Sequence, residues 1–100
     1  MVKIEVYFGL LDKQDVPIYE SEFEVFRKEV LDQLLQGYCL VNGTGLWKGK
    51  AEPCKVLTVV GLDVPEMREG MRKICRAYKE KFNQDSVLMT SQKLEFAEYV

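Results

Sequence analysis

The sequence predicts an α+β domain of ferredoxin-like βαββαβ topology, with a four-stranded antiparallel sheet and two helices on one face. Three features carry that expectation. Residues 2–8 alternate with period 2, two helical stripes each open on a capping signal, and residues 54–61 are apolar enough for a strand covered on two sides. One hundred residues suit a single domain, residues 1–100.

In the first strand Val2, Ile4, Val6 and Phe8 point one way, while Lys3, Glu5 and Tyr7 point the other. Gly9 opens a connecting loop that runs to Pro17. Ser21 and Glu24 have the spacing of a capping box, and Phe23, Phe26, Val30 and Leu34 follow as a stripe that needs cover. Gly37 stands where a left-handed helix stop is expected. Residues 38–46 read as the second strand, a polar loop covers 48–53, and the third strand runs over 54–61. Asp63 and Glu66 give a second capping box with Pro65 in the first turn. Met67, Met71, Ile74, Tyr78 and Phe82 form the second stripe, which Asn83 ends. Residues 86–90 are the fourth strand, and 93–100 extend it, add a strand or form an arm. The first and third strands are then central. The uncovered face carries Tyr7 with either Leu57 and Val59 or Val56, Thr58 and Val60, and both sets are too apolar to stay wet.

Composition excludes much. There is no histidine, which removes Ser-His-Asp and Cys-His catalysis and histidine metal clusters. A net charge of −2 gives no basic footprint for nucleic acid. Cys39, Cys54 and Cys75 are odd in number and widely spaced, so we expect buried reduced thiols rather than a disulfide framework or a zinc site. Asp12, Asp15, Glu66 and Glu69 lack metal-loop spacing, and no cofactor is expected. Gly43 to Lys50 contains glycines and lysines but joins two strands, so it is a hairpin and not a phosphate loop. Arg72, Lys73, Arg76, Lys79 and Lys81 read as the solvated side of the second helix. No apolar run reaches membrane-spanning length, and the start lacks the basic flank and cleavage site of a signal, so a cytoplasmic location is expected.

Several short motifs carry a family resemblance: Tyr7-Phe8-Gly9 closing the first strand, Gly45-Leu46-Trp47 near the hairpin tip, Glu52-Pro53-Cys54-Lys55-Val56 opening the third strand, and Phe82-Asn83-Gln84-Asp85-Ser86-Val87-Leu88 before the fourth. In their order and spacing the sequence resembles an uncharacterised bacterial family of small ferredoxin-like proteins, some of them lipoproteins, with no established biochemical role. The resemblance implies the fold and supplies no function. The lipid-attachment cysteine of the lipoprotein members has no counterpart at the start of this sequence.

Tyr7, Trp47, Glu52, Lys55, Gln84 and Ser86 are the ligand- or partner-binding candidates, an aromatic platform with an acid, a base and an amide for a small polar ligand. No residue is assigned a catalytic role. Trp47 is expected to pack at the hairpin base. An RNA-recognition motif would need aromatics on the third strand, acylphosphatase chemistry an arginine in the first loop, and a copper chaperone CxxC there, and none is present. The reading favoured by these residues is a non-enzymatic binding or regulatory module, using the open sheet face and the 42–53 hairpin. It would be a homo-oligomer, a dimer before a trimer, responding to a small effector or protein partner. The alternative is a cofactor-free enzyme of the dimeric α+β barrel type with a pocket near Tyr7, Glu52 and Lys55.

Overall fold

The period-2 pattern of the first strand becomes two physically different faces. In β1 (Val2–Gly9) Val2, Ile4, Val6 and Phe8 are buried and the residues between them are half-exposed. The computed structural model describes residues Met1–Val100. β1 lies between β3 (Lys50–Gly61) and β4 (Leu88–Lys93), with β2 (Cys39–Trp47) outside β3. The order β2-β3-β1-β4, antiparallel throughout, is the ferredoxin-like arrangement expected.

A first helix, Glu20–Phe26 continued to Leu34, and a second, Pro65–Lys81, cover the face that carries Leu57 and Val59. Phe8, Phe23, Phe26, Tyr78 and Phe82 stack at its centre, with Phe8 and Tyr78 centroids 4.5 Å apart and Phe26 and Tyr78 5.2 Å apart in an edge contact. Such pairs add about 0.5–1.5 kcal/mol each beyond the area they bury. The opposite face carries Val56, Thr58 and Val60, which settles the parity the sequence leaves open.

Local detail departs from the expected signals. The first helix begins at Glu20, where the Tyr19 N–H donates to Glu22 Oε1 at 3.0 Å. Ser21 and Glu24 lie inside it, and Glu24 instead takes the Arg27 guanidinium through both oxygens. One turn of π-helix over Arg27–Leu31 inserts a residue, so the buried side steps from Phe26 to Leu31 and leaves Leu34 exposed. The helix stops because Leu35 turns extended, and Gly37 does not adopt the left-handed conformation. In the second helix Pro65 takes the first turn as expected, but Asp63 binds Arg68 rather than capping. Met71, Ile74, Tyr78 and Phe82 are buried, and Asn83, at φ 51, supplies the expected stop.

The β2–β3 hairpin is longer than its sequence suggests. Lys48 and Gly49, at φ 50 and 76, make a two-residue turn of the mirror-image type that matches strand twist, so β3 starts at Lys50 and the loop expected over 48–53 is strand. Trp47 is not packed at the hairpin base. It is 65% exposed beside the turn, because β1 ends opposite Cys54 and no strand flanks the last rungs of the hairpin on that side. The Lys48 ammonium lies 5.8 Å from the centre of its ring. β4 begins at Leu88, two residues later than expected, leaving Ser86 ahead of it. Beyond Lys93, Leu94 N–H bonds Met1 O and the chain continues as an arm with Phe96 and Tyr99 exposed. Cys39 is exposed and Cys54 and Cys75 are half-buried, so the free thiols are not the core residues anticipated. No helix is long and apolar enough to cross a membrane.

Candidate functional site

Because the hairpin outruns β1, one end of the open face is bare, and its sequence keeps it so. Gly9 and Gly43 flank Cys54 across the sheet, and Gly45 lies opposite Glu52. The chain leaving β1 folds into a tight wall: Asp12 Oδ1 accepts from the N–H groups of Gln14 and Val16 at 2.8 and 2.9 Å, and Leu11 bridges Pro17. Those two N–H groups, Val16 first, hold the Asp12 carboxyl below the usual carboxylate range. Lys13 N–H reaches Asn83 O at 3.0 Å, tying this wall to the turn after the second helix. Between the wall, the hairpin and residues 84–88 lies a cleft of about 480 Å³.

Two acceptors converge on its floor. A side-chain carbon built on Gly9 would stand 3.2 Å from Gln84 Oε1 and 3.2 Å from Glu52 Oε1. The Gln84 amide is oriented by its donor end, whose Nε2 bonds Leu11 O at 3.0 Å and Phe82 O at 3.2 Å. Its carbonyl oxygen is therefore left free on the cleft side, over the bare backbone of Gly9. Beneath them the Tyr78 hydroxyl donates to Gly9 O at 2.6 Å. Burial, with Glu52 and Glu22 nearby, pushes the Tyr78 hydroxyl well above the ordinary tyrosine range, so it stays a donor. Burial and then Glu52 also raise the Cys54 thiol, which makes it a poor nucleophile at neutral pH. At the rim Lys50 pairs with Asp15 at 2.7 Å. No group of His, Cys, Asp and Glu side chains is gathered as a metal site.

Tyr7, Trp47, Glu52, Gln84 and Ser86 all line this cleft, and Lys55 does not. Along a strand a spacing of three residues reverses the face, so Glu52 and Lys55 cannot share one. Lys55 is buried under the first helix, with its ammonium 2.8 Å from Glu20 Oε1 and 5.4 Å from the centre of the Phe23 ring. Tyr7 stands beside Val56 and Leu88, with its hydroxyl 3.4 Å from Glu5 Oε1. Gly9, Cys54 and the Asp12–Asp15 wall were not anticipated. Gly9 and Cys54 were legible in principle, since both lie in the quoted motifs. The wall was not, because it depends on a loop closing on itself.

A model of the family described as "Protein of unknown function (DUF3574)" matches residues 3–97. None of the curated proteins matches the chain. Among solved structures it is similar to a phage SAM lyase in complex with S-methyl-5'-thioadenosine, at a TM-score of 0.69 and 19% identity, over 92% of this chain and 80% of that one. The phage SAM lyase in its apo state gives the same TM-score, 0.69, and 19% identity, over 97% of this chain and 92% of that one. The expectation of a non-enzymatic module is corrected on this finding, since the solved relatives in fold are those of an enzyme. The barrel-type alternative also loses one of its three pocket residues, because Lys55 faces the helices while Tyr7 and Glu52 line the cleft.

Proposed function

The chain belongs to that family of unknown function, and from this premise we propose that it is an enzyme acting on an adenosyl sulfonium compound, bound in the cleft over Gly9. The observation that carries the reading is the convergence of Glu52 Oε1 and Gln84 Oε1 on one point above Gly9. Two acceptors side by side suit the two adjacent hydroxyls of a ribose, and hydrogen bonds to a carboxylate are the stronger kind. Trp47 and Tyr7 offer ring faces for the base. The likeness in fold to a SAM lyase supports the substrate class by analogy alone.

Cleaving the carbon–sulfur bond to the aminobutyrate arm of the sulfonium, with the arm's own carboxylate oxygen bonding to that carbon to close a lactone, releases a neutral thioether, so the charge on sulfur fades in the transition state. A carboxylate beside sulfur would favour the ground state and slow the reaction. Glu52 serves better on the hydroxyls, where with Gln84 it fixes the nucleoside while the sulfonium arm reacts. Incubating the protein with S-adenosylmethionine should release S-methyl-5'-thioadenosine, separable by chromatography. Glu52→Gln should lower that rate at limiting substrate by roughly tenfold to a hundredfold, the cost of a charge-assisted hydrogen bond. No release by the unmutated protein, or full release by the variant, contradicts the reading.

We also propose that two copies pair through the part of the open face away from the cleft, where Val41 and Val60 are 51% and 38% exposed. A cytoplasmic location belongs to the same proposal, since the three unpaired cysteines suit a reducing compartment.

A further inference from the structure

On the other side of residues 84–88 from the cleft lies a second, smaller concavity. It measures about 260 Å³ between the second helix and β4, and it is lined by Arg72, Cys75, Arg76, Lys79, Ser86, Val87 and Met89. Its floor is apolar, from Val87, Met89 and the half-buried Cys75, while one rim is cationic. Arg72, Arg76 and Lys79 recur at the spacing that puts residues on one side of a helix. The chain as a whole is net negative, at −2, so this rim stands out.

One carboxylate already occupies the cations. Glu69 accepts from Arg76 at 2.6 Å and from Arg72 at 3.5 Å, and those guanidiniums hold it below the usual carboxylate range. Three cations against one carboxylate leave the rim with an excess of positive charge, and Lys79 makes no ion pair. Glu69 shows that the two guanidiniums can share one carboxylate; it lies on the same side of the helix, one turn before Arg72, and does not line the groove.

We propose that this groove is a binding site for a small organic anion with an apolar body, an aryl or alkyl phosphate or carboxylate. The oxyanion takes the place of Glu69 on Arg72 and Arg76, and the apolar body lies on Val87 and Met89. An inorganic anion would gain the charge contacts without the floor. The site stands apart from the proposed reaction, although Ser86 lines both concavities and any ligand here touches the wall of the other.

Phenyl phosphate, titrated into ¹⁵N-labelled protein at constant ionic strength, is the direct probe. Saturable shifts should concentrate at Cys75, Ser86, Val87 and Met89, with inorganic phosphate binding more weakly. Arg72→Ala with Arg76→Ala should weaken the probe roughly tenfold, as expected for losing charge-assisted contacts at a partly exposed site. Both side chains are more than half exposed, so the double variant should fold, which its spectrum reports directly. Glu69→Gln should act in the opposite sense and tighten the probe several-fold by freeing the guanidiniums. Glu29→Gln, which changes net charge equally from the first helix, should not. Shifts scattered over the lysines without saturation, equal binding of phenyl and inorganic phosphate, or no tightening in Glu69→Gln would overturn the assignment.

Discussion

At the scale of single residues, the end of the open face is organised by what Gly9 lacks. Its missing side chain lets the Glu52 and Gln84 oxygens each come close above the backbone, and Tyr78 holds that backbone from below. Tyr78→Phe therefore leaves Gly9 O without its donor, at a cost of about 1–3 kcal/mol if no water replaces it. The same residue sets an alkaline limit. Its hydroxyl titrates above the ordinary value near 10 in the native state, so its contribution is complete below that value. As pH rises further the unfolded chain ionises this tyrosine first, and stability falls toward the native titration. Urea midpoints measured across that range should fall more steeply for the native protein than for Tyr78→Phe, and parallel curves would contradict the shift. Lys55 teaches the converse lesson. It looked like a site residue beside Glu52, and a count of strand parity would have removed it.

At the scale of elements, what could be read from sequence followed from periodicity, and what could not depended on contacts between distant segments. The alternation of Val2, Ile4, Val6 and Phe8 and the stripe Met71, Ile74, Tyr78 and Phe82 both survive as buried faces. The first helix obeyed its stripe only as far as Phe26, since a π-helical turn is invisible to a pattern of fixed period. Lys48-Gly49 falls inside the polar loop expected over 48–53, whereas the two residues make a tight turn with glycine at its second position. Reading 48–53 as a loop shortens β3, although the 42–53 hairpin it belongs to is expected and forms one wall of the cleft. Five of the six candidate residues nevertheless line it, because β3 passes Gly9 at Cys54 and the segment before β4 brings Gln84 close to the same glycine.

At the scale of the whole molecule, an open face with branched apolar residues favours self-association. Each Å² of apolar surface kept from water is worth about 25 cal/mol, and a standard interface of roughly 800 Å² per partner would cover much of the sheet. Two-fold pairing is the commonest closure. Light scattering at micromolar concentration should give at least twice the 11.6 kDa of one chain. Thr58→Asp, on the open face opposite Glu5 and Cys39, should split the assembly without unfolding it. A chain-sized particle for the unmutated protein would leave that face uncovered and end the pairing argument.

The claim on which the functional account turns is that the space over Gly9 holds a nucleoside. Calorimetric titration with S-methyl-5'-thioadenosine tests it most directly, comparing the unmutated protein with Gly9→Val. Gly9 sits in extended strand with no positive φ, so valine is compatible with the backbone while its side chain fills the point between Glu52 and Gln84. The account predicts saturable binding to the unmutated chain and none to a variant that melts within a few degrees of it. Equal binding by both proteins, or none by either, would contradict it.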